Sequence, residues 1–242
     1  MSKKTRLLEA ATVVVLTIAL ITSITACDGD DTLDSALTDN GTTLTVDEDG
    51  ATSVDASQLQ GVLDSLPSDE ISAQEKAGLL FMREEEKLAR DVYLTLYDTW
   101  NQKIFQNISN SEQTHTDAVL SLLQKYGIPD PVGDNAIGVF VDQDLQALND
   151  SLVNTGNTSL IAALEVGTAI EEIDIIDLEK REAEIVGNDD IITVYEMLLK
   201  GSRNHLRAFV KNLKNQGIDY QPQYLSQVEY DEIINAATEQ GN

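Results

Sequence analysis

The chain has 242 residues, of which 42 are acidic and 16 basic, giving a formal net charge of -26. That charge, with no basic cluster against it, excludes a nucleic-acid binder, because phosphates are neutralised by Lys and Arg. A single Cys excludes a disulfide framework, a Cys-based zinc site and an iron–sulfur centre, and an aromatic share of 5% with four Pro favours helices over a β-sandwich.

In chain order, the first segment is an address. Lys3, Lys4 and Arg6 precede an uncharged run from Ala10 to Ala26 that closes on small residues. This is the layout of a secretory signal. Ile24-Thr25-Ala26-Cys27 resembles a bacterial lipobox, and the chain's one Cys sits in it. The resemblance implies removal of residues 1–26 and lipidation of Cys27. The protein would then be anchored in the bacterial cell envelope, outside the cytoplasm. An uncleaved membrane-spanning helix is the rival reading, although the run is near the lower limit for a hydrocarbon core of ~30 Å. Residues 27–66 read as an acidic flexible linker, rich in Asp, Thr, Ser and Gly and without a helical apolar period. Asp47-Glu48-Asp49-Gly50 within it lacks the ligand spacing and closing Glu of a calcium loop.

The folded domain is expected over 67–242. Ser72 and Glu75 form a capping box that opens a helix to about Asp98. Its stripe is Leu79, Met82, Glu86, Ala89, Tyr93 and Leu96. A second helix runs from about Lys103 to Tyr126, with Ile108, Glu112, His115, Val119 and Leu122 on one face, and Gly127 ends it. A short helix near 143–155 follows, then a third long helix over about 158–186. A fourth covers about 190–216, and a last short helix about 227–238. Two hairpins joined by a long crossover between the second and third long helices is the connectivity of a ferritin-like four-helix bundle. An up-down bundle with a decorated middle loop fits the same pattern. The fold class expected is therefore all-α, with a short C-terminal helix.

Polar residues interrupt the apolar stripes. Glu112 and His115 stand three apart, so they point the same way from one helix. A carboxylate and an imidazole so placed can ligate one metal ion, and Glu-x-x-His is the ligand pattern of di-iron carboxylate bundles. The first long helix adds Glu86, with Glu85 the near alternative in the run Glu84-Glu85-Glu86. The third adds Glu171 and Asp174, with Glu172 adjacent, and the fourth adds His205. The chain's only two His thus both fall on expected interior faces. Converging buried carboxylates need a cation or shared protons. Carboxylate-rich sites with one or two imidazoles suit iron, or manganese as the alternative, better than zinc.

Gly78–Tyr93, Ser111–His115 and Gly201–Phe209 carry a resemblance to the uncharacterised ferritin-like group known as domain of unknown function 2202, over residues 73–235. More remotely, Glu86 to Tyr93 and Glu112 to His115 resemble the ligand helices of rubrerythrin. That similarity implies Glu86, Glu112 and His115 as ligands in one half, with Glu171 and His205 as counterparts in the other. Ser202 occupies the position of a second Glu in the rubrerythrin-like pattern, and Asp174 is the candidate to compensate. A four-Cys rubredoxin part is missing from the pattern, so an oxidoreductase of peroxidase or ferroxidase type would need an external electron donor. A homodimer is a further candidate assembly. The alternative is a non-enzymatic helical lipoprotein for metal storage or partner binding. In it, Glu84–Glu86 form a solvated face pairing with Lys87 and Arg90, and Arg83, Arg203 and Arg207 neutralise any buried carboxylates.

Overall fold

The computed structural model describes residues 43–67 and 69–241. The expected signal segment, Cys27 and the first part of the expected linker lie outside the described residues. The described chain is mainly helical, and it is not all-α: a two-stranded antiparallel sheet precedes the helices.

The linker expected up to residue 66 is corrected by that sheet. Strands β1 (Leu44–Val46) and β2 (Thr52–Val54) pair with Leu44 opposite Val54. The acidic tetrapeptide between them is the turn. Asp47 Oδ1 accepts from the backbone N–H groups of Asp49 and Ala51, each at 2.9 Å. Gly50 supplies the left-handed residue at φ 87° that such a turn needs. Helix α1 (Ala56–Ser65) follows at once, capped by Asp55 through Ser57 and Gln58, and it buries Leu59 and Leu63. Two apolar side chains on one face sufficed for a helix here, because α1 packs against the helix that follows later in the chain.

Four long helices form the core: α2 (Ala73–Trp100), α3 (Lys103–Lys125), α5 (Leu160–Glu182) and α6 (Asp189–Asn215), with α4 (Gln143–Gly156) in the crossover. Helix α2 opens on the expected capping box, in which Ser72 Oγ accepts from Glu75 N–H and Glu75 accepts from Ser72 N–H. Its neighbour α3 ends before Gly127, at φ 64°. The closest-knit pairs are α2 with α3 and α5 with α6; α2 also packs on α5, and α3 on α6. A closed circuit of four helices results, so side chains from all four can meet along its interior. The crossover helix α4 lies against α2 and α5. Helix α7 (Gln227–Asn235) opens on a second capping box, Ser226 with Glu229. Two ends fall short of expectation: α5 stops at Glu182, where a turn replaces the last expected helical residues before Gly187 at φ 81°, and α7 stops at Asn235. Among the described residues no helix is long and apolar enough to cross a membrane.

Three charged side chains hold the crossover down. Glu84 accepts from the N–H groups of Val141 and Asp142 at 2.6 and 2.9 Å. Lys87 pairs with Asp91, both fully buried, and donates to the carbonyls of Ala136 and Val139. Asp91 also accepts from Gly138 N–H at 2.8 Å. The expected solvated face of Glu84–Glu86 is therefore corrected: all three are buried, and Lys87 and Arg90 pair with Asp91 instead.

Candidate metal centre

Helical spacing carries Glu112 and His115 to one interior point on α3, and the ring of His115 needs room there. Gly201 on α6 provides it. A Cβ at that position would stand 2.4 Å from His115 Cε1 and 2.6 Å from Nε2. His205, one turn further along α6, stacks on His115 with ring centroids 5.2 Å apart and planes 20° from parallel. Neither His is exposed to solvent.

Both Nδ1 atoms turn to carboxylates. His115 Nδ1 is 3.1 Å from Glu112 Oε2 and 3.5 Å from Glu86 Oε2. His205 Nδ1 is 2.8 Å from Glu112 Oε1 and 3.5 Å from Glu171 Oε2. The 2.8 Å approach is out of line for an N–H···O hydrogen bond. Glu112 therefore faces Nδ1 of both stacked rings, with Glu86 from α2 and Glu171 from α5 flanking it. One ligand atom each from Glu112, His115 and His205 lie within 4.8 Å of one another. Tyr93 donates to Glu171 Oε1 at 2.6 Å, and the Tyr93, Phe105 and Phe209 rings pack in mutual contact beside it.

The remaining sequence candidates divide. Asp174 on α5 accepts through Oδ2 from Ser202 Oγ on α6, and Glu86 and Glu112 are among the charges that act on it. Asp174 Oδ1 and both oxygens of Glu86 have no hydrogen-bond partner among the described residues. Glu85 is buried and likewise unpartnered, and the charges that act on it are Asp177, Glu86 and Arg181. Glu172 is turned away and accepts from Tyr220 Oη and from the N–H groups of Gln223, Tyr224 and Leu225. Tyr195 is buried with its hydroxyl unpartnered, close to where a Cβ on Gly78 would stand.

The electrostatics follow from burial against pairing. Burial pushes the Glu86 carboxyl up to about 7, with His115 pulling the other way. Burial also raises Glu171, against the pull of His205. Asp174 is driven well above the usual carboxylate range by burial and then by Glu86, Glu85 and Glu112. Glu112 is the exception: burial opposes its charge, but His205 and His115 hold it well below the usual range. Burial likewise works to discharge the imidazoles. Glu112 outweighs it, holding His115 at about 10 and His205 at about 9.

The arginines that could have neutralised the cluster bond elsewhere. Arg83 reaches Thr116 and Asp130, while Arg203 and Arg207 both reach Glu239. Thr52 of β2, which the sequence reading missed, touches both rings: its Oγ1 is 2.9 Å from Nε2 of His115 and 2.9 Å from Nε2 of His205. It lies 63 residues before one His and 153 before the other, in a segment with no local signal for a site.

Among known proteins, residues 75–237 match the family model described as "Uncharacterized protein domain (DUF2202)". The chain is 56% identical to the uncharacterized protein MJ0754 of Methanocaldococcus jannaschii over 179 residues, which are 74% of this chain and 96% of that one. A crystal structure of hypothetical protein MJ0754 superposes with a TM-score of 0.70 at 57% identity, covering 72% of this chain and 99% of that chain. This chain belongs to the DUF2202 family.

Proposed function

We propose that Glu86, Glu112, His115, Glu171, Asp174 and His205 hold one or two iron ions, with manganese as the alternative, in a ferritin-like four-helix setting that reacts with peroxide or oxygen. One observation carries the reading. Glu86, Glu112, Glu171 and Asp174 are buried around two imidazoles, while Arg83, Arg203 and Arg207 are engaged elsewhere. Acidic groups in that number without solvent are tolerable only with protons or a cation among them. The unpartnered oxygens of Glu86 and Asp174 are donor atoms that a cation would engage. Carboxylate oxygens with two nitrogens suit iron or manganese.

Bound iron would supply the electrons for reducing an oxidant. The chain's own residues do the rest. Glu112, which faces both imidazoles, would hold the ion or ions together with them. Glu86 and Glu171 would close the site from the adjacent helices α2 and α5. Ser202 orients Asp174 by donating to it, in place of the second Glu of the rubrerythrin-like pattern. Tyr93 holds Glu171, and the aromatic rings beside it exclude water. Electrons would come from an external donor. Lipidation at Cys27 would keep this centre at the cell envelope, outside the cytoplasm.

The test is metal analysis of the chain loaded with ferrous iron without oxygen, then exposed to peroxide. One or two iron ions per chain, oxidised on exposure with a change in absorbance, support the reading. No retained iron or manganese contradicts it. Retained iron that peroxide and oxygen leave unchanged would favour storage without turnover.

A further inference from the structure

The hairpin lies before the residues matched by the family model, which begin at residue 75, yet it reaches the centre of the site. Strand β2 is fixed to α3 on both sides of the contact. Thr52 N–H donates to Ser111 Oγ at 2.8 Å, and Val54 N–H donates to Thr114 Oγ1 at 3.2 Å. The turn of the hairpin rests on α6, where a Cβ on Gly50 would stand 2.9 Å from that of Ala208. Thr52 is thereby seated between the two helices that carry the histidines, with its hydroxyl 2.9 Å from each Nε2.

A hydroxyl oxygen has two lone pairs and one proton. It can accept from both imidazoles but donate to only one. Accepting from both fixes both rings in one sense: Nε2 carries hydrogen, and Nδ1 faces Glu112, Glu86 and Glu171. We propose that Thr52 is a positioning residue, one hydroxyl delivered by the N-terminal hairpin that orients both imidazoles with Nδ1 toward the carboxylates. Its consequence for metal binding rests on the reading above; the hydrogen-bond arrangement does not. The same two Nε2–H bonds serve whether Nδ1 faces a carboxylate, as here, or a cation, so loading requires no rotation of either ring. Partners of this kind set the tautomer and basicity of metal-bound histidines, and losing one typically lowers metal affinity 10- to 100-fold.

The test compares the full chain with T52V, which keeps the shape and removes the hydroxyl, and T52S, which restores it. Two quantities are read: affinity for Mn2+ alone, and the 15N and N–H resonances of the two histidines without metal. T52V is expected to bind Mn2+ roughly 10- to 100-fold more weakly, with T52S recovering most of the loss. The wild-type spectrum should show two hydrogen-bonded Nε2–H signals, both lost or moved in T52V. Unchanged affinity and spectrum in T52V would overturn the proposal. So would a T52S chain as weak as T52V at equal melting temperature, since packing rather than the hydroxyl would then be responsible. If the wild type takes up no Mn2+, the metal reading fails, and the spectra alone decide the role of Thr52. Should T52V not fold, the wild-type spectrum decides: two Nε2–H signals uphold the arrangement, and one or none overturns it.

Discussion

Glu112 keeps its charge in a buried site because it faces two imidazoles, and every neighbouring carboxylate is pushed toward neutrality by the same burial. Replacing His115 or Glu112 by Ala should therefore abolish metal retention, whereas Glu172→Gln should leave it intact, because Glu172 serves the segment around Tyr220–Leu225 instead. Metal analysis of the three variants separates these outcomes. Gly201→Ala forces a methyl against the His115 ring at 2.4 Å. That overpacking should cost about 1–3 kcal/mol in urea denaturation and weaken metal retention with it. The pH dependence of the metal-free protein has a definite sign. Glu86 binds its proton more tightly folded (about 7) than unfolded (4.5), so its stabilising contribution is lost as pH rises through that window. The contributions of His115 and His205 are complete below 6.5 and are lost as pH rises through about 10 and about 9. The melting temperature of the metal-free chain should thus fall from mildly acidic to alkaline pH. With Mn2+ bound it should fall less, because the cation takes over the role of those protons.

Helices α2, α3 and α6 were legible to within about two residues because their ends carry explicit chemistry. Ser72 with Glu75 starts one, and Gly127 and Gly217 close two others at positive φ. The stripe of α3 was equally plain, since Ile108, Glu112, His115 and Val119 follow the helical repeat and all are buried. The β1–β2 hairpin was not legible. Each strand is three residues long, and alternation that short does not stand out from a Thr-, Ser- and Asp-rich stretch. Thr52 was hidden for the same reason: its link to the histidines is made by tertiary packing, not by spacing along the chain. The acidic run on α2 was misleading in part, because Glu84 and Lys87 serve the crossover rather than solvent or the site. That clamp makes a prediction of its own. Asp91→Ala leaves the buried Lys87 ammonium without its counter-charge. The loss should be about 3–5 kcal/mol in denaturation, with residues 136–141 losing protection from hydrogen exchange.

Across the whole molecule, four helices each contribute a charged or titratable side chain to one interior point, and the N-terminal hairpin adds the hydroxyl between the rings. A cation bound there would tie those elements together and couple occupancy to global stability. At a free metal concentration 100 times the dissociation constant, the folded state gains about 2.7 kcal/mol. For a chain of this size the melting temperature should rise by several degrees and return on chelation. The net charge of -26 acts in the same direction, raising the local concentration of cations around the protein. The most direct measurement is anomalous diffraction at the iron edge from crystals grown with ferrous iron. One or two iron peaks are expected among Glu86, Glu112, His115, Glu171, Asp174 and His205, with both Nδ1 atoms directed at them. An iron-soaked crystal with no peak in that space, and with both Nδ1 atoms still facing only carboxylate oxygens, would contradict a metal centre.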